Sequence, residues 1–254
     1  MFLHGGGGAA RMWEPQIVAF SGGYHCIAPD LPAHGDNKIE HTFTISSAAN
    51  YVIEVIEKLA ANSKVHLVGL SMGAQIALNL FDRRPDLFAS CLASSPSLIP
   101  QPGAKWLTGS LMYHSYKWCL QPLNNFLWWS ELNRRYSAGV PSQYADAFFQ
   151  NLQKVDAKSF IETLAANQTF RLAKDWQTSV PTLVVAGQGE HKTMLESINQ
   201  LQGKHNVTVG LIEHDSSIKL AQQHNWSISV PNAFNQLLRA WFTEQQLPDN
   251  VTVL

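Results

Sequence analysis

Short apolar runs of strand length alternate with longer stretches in which apolar positions recur every three or four residues. Met1 to His4 reads as the end of a buried strand, and Arg11 to Phe20 as a helix-like segment after it. Tyr24 to Ala28 predicts a second strand, ending in the turn-rich Pro29-Asp30-Leu31-Pro32-Ala33-His34-Gly35. Ala49, Val52, Ile53, Ile56, Leu59 and Ala60 share one helical stripe, which predicts a helix over Ser46 to Ala60 with a single core face. Val65 to Val68 is again of strand length, and Ala74, Ala77, Leu78 and Phe81 return to helical spacing. A further strand over Leu87 to Ala93 ends in Ser94-Ser95-Pro96-Ser97. Repetition of strand and helix in this order predicts an α/β fold, a mostly parallel sheet with helices on both faces.

Residues 100–179 break the rhythm. They are helix-like and rich in aromatics, among them Trp106, Tyr113, Tyr116, Trp118, Phe126, Trp128, Trp129, Tyr136, Tyr144, Phe148 and Phe149. The expectation is an inserted helical cap (100–179) on a core built from 1–99 and 180–254. Most of its rings are expected to form the core of a small helical subdomain, and some to line an apolar pocket. The alternation then resumes with the strand Pro181 to Gly187, a helix near Lys192 to Leu201 and the strand Val207 to Ile212. Pro231 announces the last helix, whose buried face is Phe234, Leu237, Leu238, Trp241 and Phe242. The tail after Gln246 carries no motif.

Composition narrows the classes of function. At 254 residues, one main domain is expected. A formal net charge of −1 with no Lys/Arg cluster argues against nucleic acid or an anionic membrane as partner. Cys26, Cys91 and Cys119 are odd in number and far apart, which fits buried thiols in a reducing compartment rather than a disulfide scaffold or a metal site. No stretch approaches the roughly eighteen consecutive apolar residues of a membrane span, and the start lacks the basic and apolar regions of a signal peptide. A cytoplasmic protein without metal or cofactor is the expectation.

The chemistry concentrates on Gly69-Leu70-Ser71-Met72-Gly73, which joins an apolar strand directly to an amphipathic helix. A serine in that position turns the chain so sharply that bulky residues two places on either side would clash, hence Gly69 and Gly73. The turn lifts the hydroxyl above the carboxyl edge of the sheet, in front of a helix N-terminus able to stabilise developing negative charge. Gly5-Gly6-Gly7-Gly8, between a strand and a helix, lets backbone N–H groups approach a ligand closely. A serine nucleophile needs a base and a carboxylate that orients the base. Glu190 follows the strand ending at Gly187, and His224 follows the next strand. Nucleophile, acid, histidine is the chain order of an elbow enzyme. His214, beside Asp215 at a strand end, is the rival base. His4 and His34 read as braces for turns and His66 as a strand residue; His25, His41, His114 and His205 have no partner pattern, and His191, next to Glu190 on a loop, is not expected to form a metal pair with it.

Leu3 to Gly8 (LHGGGG), Ala28 to Gly35 (APDLPAHG), Gly69 to Gly73 (GLSMG), Pro181 to Glu190 (PTLVVAGQGE) and His224 to Trp226 (HNW) together resemble an α/β-hydrolase of the carboxylesterase type. The chain is similar to the pimeloyl-carrier-protein methyl ester esterase group and its relatives over nearly its whole length. That resemblance implies a cap inserted after the sixth strand, and an oxyanion hole made by the backbone N–H groups of Met72 and Gly6, with Gly5 and Gly7 as weaker candidates. It implies a small-molecule ester substrate of modest size. Lactone, thioester and carbon–carbon bond hydrolases share the pattern; a non-catalytic ligand-binding homologue would keep the fold but is expected to lose a triad member or crowd the pocket, whereas all three triad candidates are present here. A carbon–carbon bond hydrolase needs polar groups in the cap, a role open to Lys117, Arg134 and Arg135, which read equally as solvated helix charges.

The chain departs from the family pattern in three places. Glu190 stands where most relatives have aspartate, Gln223 replaces the glycine that often precedes the histidine, and the segment from Glu213 to Gln223 is long. The family's leading edge strands are missing before Phe2, so they are dispensed with or encoded upstream.

Overall fold

The structure is a computed structural model and describes residues 1–38, 42–61, 63–100, 103, 109–244 and 246–254. His41 and Trp106 lie outside the described residues. Six strands form one sheet in the spatial order β1 (Phe2–Leu3), β2 (Val65–Leu70), β3 (Phe88–Ser94), β4 (Thr182–Gly187), β5 (Val207–Ile212) and β6 (Val251–Val253). The first five run parallel, and only β6 is antiparallel, on β5. Their carboxyl ends therefore share one edge, where ligands of open α/β sheets bind.

Side-chain alternation explains the layering. Leu67 and Val184 face one apolar cluster, with Ala48, Val52, Ile56 and Ile76. Their neighbours Val68 and Leu183 face the other, with Trp13, Trp226, Phe234 and Leu238. Strands buried on both faces must be apolar at consecutive positions, which is how β2 to β4 read in the sequence. Helices α1 (Glu14–Phe20), α2 (Ile45–Leu59), α3 (Met72–Leu80), α8 (Lys192–Asn199) and α11 (Pro231–Phe242) cover the sheet. Thr44 caps α2, its hydroxyl accepting from the Ser47 N–H at 2.9 Å.

Between β3 and β4 lie α4 (Ser110–Ser115), α5 (Leu127–Asn133), α6 (Ala145–Gln153) and α7 (Ala157–Thr169). The helices thus enter after the third strand of this sheet, not the sixth; the larger count includes leading strands that are absent among the described residues. Polar ties hold this segment to the core. The Gln75 amide on α3 donates to the carbonyls of Ser97 at 2.5 Å and Asn167 at 2.9 Å, and Lys154 pairs with Asp36 at 2.6 Å. On the other side the Asn225 amide donates to the Ala138 carbonyl at 2.7 Å.

Four expectations need correction. Tyr24 to Ala28 forms no strand: Pro29 ends the run, which lies beside β1 with the Phe2 N–H donating to the Ile27 carbonyl at 2.8 Å. The tail is not featureless, because Val251, Thr252 and Val253 pair with Ile212, Leu211 and Gly210. Several insert aromatics are not core: Trp118, Phe126, Trp128 and Tyr136 are exposed. The thiols are not uniformly buried either, since Cys119 is exposed and Cys26 half-buried. Among the described residues no helix is long and apolar enough to cross a membrane.

Candidate active site

The loops that follow the five parallel strands share the carboxyl edge. After β2 the chain turns at Ser71 with φ 54° and ψ −114°, and α3 starts at once. A side chain disfavours this region of backbone space, and the fold holds it by bonding the Ser71 N–H to the Ser94 carbonyl at 2.8 Å. Gly69 has no room for a side chain: a Cβ there would stand 2.5 Å from the Gly73 carbonyl oxygen. The glycine loop after β1 closes a turn, Gly8 N–H to Gly5 carbonyl at 3.0 Å, with Gly7 at φ 73°. It lies against the elbow. A Cβ on Gly5 would be 3.5 Å from that of Ser71, and one on Gly6 would be 3.9 Å from Met72 Sδ.

His4 and His34 brace this loop. The His4 ring donates from Nδ1 to the Gly5 carbonyl at 2.8 Å and accepts the Leu31 N–H on Nε2 at 3.0 Å, so it is neutral. Burial, reinforced by neighbouring His34, pushes its pKa down to about 3. A depressed histidine pKa favours the unfolded state once acid charges the ring there but not in the fold. The fold therefore loses stability as pH falls from about 6.5 towards 3, by up to on the order of 5 kcal/mol at the acid limit. Urea midpoints across that range are expected to fall less steeply for His4→Gln than for wild type; parallel slopes would remove His4 from the account.

After β4 the chain turns through Gln188, Gly189 and Glu190, whose side chain is 3% exposed. Its Oε2 accepts His224 Nδ1–H at 2.8 Å, and Oε1 accepts the Ser95 hydroxyl at 2.5 Å and the Gly187 N–H at 3.0 Å. Burial pushes the carboxyl up, but His224, Ser95 and the Gly187 N–H outweigh it and hold the group below the usual carboxylate range. An ionised Glu190 fixes the Nδ1–H tautomer, leaving His224 Nε2 able to accept a proton. His224 ends the short helix α9 (Leu220–His224), ahead of α10 (Trp226–Ser229), and its side chain is 30% exposed.

His214 occupies a different role. Its ring packs edge-on to Trp226 at 5.6 Å and against Gly187, and no hydrogen bond from it to Glu190 is present. Gln223, where relatives often carry glycine, braces the acid loop by accepting the Gly189 N–H at 3.0 Å. Ser95 was not legible as a site residue, because Ser94 to Ser97 reads as an ordinary turn. Its position after β3, next to the strand that delivers Glu190, is the signal that identifies it.

Two cavities adjoin the glycine loop. One of about 250 Å³ contains Ser71 and is bordered by His34, Lys154, Phe160, Thr163 and Asn167. The other, about 140 Å³, is walled by Met12, Val140, Tyr144, Phe148 and Ile228, with Arg11 and Asn225 at its border. Gly6, Gly7, Gly8 and Asn151 border both, and the Asn151 amide donates to the Gly7 carbonyl at 2.8 Å between them. The aromatics Tyr144 and Phe148 thus line a pocket as expected. Three of the insert cations do not border either cavity: Lys117 lies over Tyr113 and Trp118, Arg135 over Tyr136, and Arg134 is tied to Glu131 at 2.6 Å and to the Val140 carbonyl.

Comparison with known proteins agrees with this architecture. A protein of Gibberella zeae described as an AB hydrolase superfamily protein is 22% identical over all of this chain and 83% of its own length. The (E)-2-((N-methylformamido)methylene)succinate hydrolase of Acinetobacter baylyi is 24% identical, over 95% of this chain and 89% of its own. Among solved structures, the enol-lactonase from Burkholderia xenovorans LB400 superposes with a TM-score of 0.75 at 17% identity, covering 95% of this chain and 90% of that one. The alpha/beta hydrolase family model matches residues 1–233, so the chain belongs to the α/β-hydrolase family.

Proposed function

We propose that the protein is a serine hydrolase that cleaves a carboxylic ester of a small to medium, largely apolar substrate through an acyl-enzyme. The observation that carries this reading is the buried, ionised Glu190 bonded at 2.8 Å to His224, at the same carboxyl edge of the sheet as the strained elbow that holds Ser71. Ser71 Oγ attacks the ester carbonyl carbon as His224 Nε2 takes its proton. The N–H groups of Met72 and Gly6 hold the oxyanion, each worth on the order of 3 kcal/mol to the transition state. Collapse expels the alcohol, protonated by His224. Water, deprotonated by the same nitrogen, then attacks the acyl group and frees the acid and Ser71. Residues 100–179 act as the cap, their rings Tyr144 and Phe148 supplying apolar contact.

A carbon–carbon bond hydrolase is less well supported, because Lys117, Arg134 and Arg135 are engaged away from both cavities. The test is turnover of p-nitrophenyl esters from acetate to octanoate by wild type, His224→Ala and His214→Ala, each checked for folding. His224→Ala is expected to lose at least about a thousandfold in kcat, while His214→Ala stays within about tenfold. The reverse ranking would make His214 the base. A folded wild type inert towards the whole series would sink the esterase reading.

A further inference from the structure

Arg11 stands out beside the glycine loop. The chain has seven arginines, and six are engaged: Arg84, Arg134 and Arg135 with carboxylates, Arg83 with Asn50, Arg171 and Arg239 with backbone carbonyls. The Arg11 side chain has no ion pair, hydrogen bond or ring contact among the described residues. Its backbone, by contrast, is fixed. Arg11 lies in the 3₁₀ turn Ala10–Trp13, pinned by the Ala10 N–H donating to Asp30 Oδ1 at 2.7 Å and by fully buried Trp13. A cation anchored through its backbone and left without a partner can meet an incoming anion without first breaking another contact.

Its place decides what it can meet. Arg11 is exposed, borders the cavity of about 140 Å³ and is the only charged residue that does so. Met12, Val140, Phe148 and Ile228 give that cavity walls suited to methylene groups, with the cation at its border. Lys154, at the Ser71 cavity, is already paired with Asp36 at 2.6 Å. Glu14 and Asp146 border an outer groove that Arg11 also touches, yet neither pairs with it. Gly6, Gly7 and Gly8 border both cavities, so a substrate arm that crosses this loop from Ser71 enters the smaller one. We infer that Arg11 binds a carboxylate at the far end of one arm of the substrate, so that the site prefers esters with a terminal carboxylate over their neutral analogues. A guanidinium presents two parallel N–H donors that match the two carboxylate oxygens. The inference rests on the serine-hydrolase reading and adds one charged group to the largely apolar substrate named there.

Matched esters test this. Ethyl hydrogen adipate against ethyl adipamate sets a carboxylate against an amide of the same shape on the acyl side, and 4-acetoxybutanoate against 4-acetoxybutanamide does so on the alcohol side. Each ratio of kcat/KM, carboxylate over amide, is compared among wild type, Arg11→Gln and Arg11→Lys, which cancels the intrinsic reactivity of the esters. For at least one pair the ratio is expected to fall about tenfold in Arg11→Gln, the size of one charge-assisted hydrogen bond, and to recover in part in Arg11→Lys. Added salt should lower the wild-type ratio for that pair and leave the Arg11→Gln ratio where it is. A purely structural role for Arg11 would lower both members of a pair alike. Unchanged ratios in both pairs overturn the inference and leave the hydrolase reading standing. Undiminished turnover in Ser71→Ala overturns that reading and takes the inference with it.

Discussion

Ser71→Ala is expected to abolish ester hydrolysis, by at least about 10⁴-fold in kcat, without unfolding the protein. The hydroxyl is the only atom removed. Alanine keeps the Cβ and tolerates the φ of 54° no better than serine, so the elbow's strain is retained and the melting midpoint should hardly move. Ser71→Gly separates the two effects. It is equally inactive, but it relieves backbone strain worth about 1–3 kcal/mol and should melt several degrees higher than wild type. A fluorophosphonate should add covalently to wild type and to neither variant. Residual turnover of more than a few per cent in folded Ser71→Ala would place the nucleophile elsewhere. A Ser71→Gly protein no more stable than wild type would show that the elbow stores no strain.

The second large effect falls on folding. Gly73 lies in the first turn of α3, where helix propensity alone favours alanine over glycine by about 1 kcal/mol. Packing opposes it. A Cβ on Gly73 would stand 2.2 Å from the Leu3 carbonyl oxygen, 2.7 Å from its carbon and 2.8 Å from the His4 carbonyl oxygen. All three are backbone atoms of β1 and the start of the glycine loop, and no side-chain rotation moves them. Gly73→Ala must therefore push α3 away from β1, which separates Gly6 from Met72 and loosens the elbow. The expected cost is at least about 3 kcal/mol, with most activity lost or the protein insoluble. Gly22→Ala is the control: nothing lies within 4 Å of its would-be Cβ, and it should be near neutral. A thermal or urea midpoint equal to wild type for Gly73→Ala would mean that the contact relaxes at little cost.

These effects share a cause in how the elbow is built. The Ser71 turn is held by Gly69 and Gly73 on its two sides, by the Ser71 N–H to Ser94 bond and by α3 packed on β1. The elbow geometry and the core packing use the same backbone atoms there. Substitutions that leave Ser71 in place can still displace it.

Local chemistry made much of this legible in the sequence. Strand-length apolar runs reported β2, β3, β4 and β5 to within two residues, because a strand buried on both faces is apolar at most positions. Helical spacing reported α2 and α11, and a serine between glycines at a strand-to-helix junction reported the elbow, since its backbone demands are met within five residues. Glu190 was legible because it directly follows a strand. The rest depended on contacts between distant segments. His214 and His224 both follow β5, and only the packing of His214 on Trp226 and the reach of α9 decide which ring bonds the carboxylate. Ser95, 95 residues from Glu190 in the chain, becomes its partner through the adjacency of β3 and β4. Val251–Val253 is a strand only because β5 offers an open edge. Arg11 looks like any surface arginine until the insert and the glycine loop enclose a cavity beside it. Backbone demands are local and leave their mark on composition; the pairing of polar groups is long-range and is written in the fold.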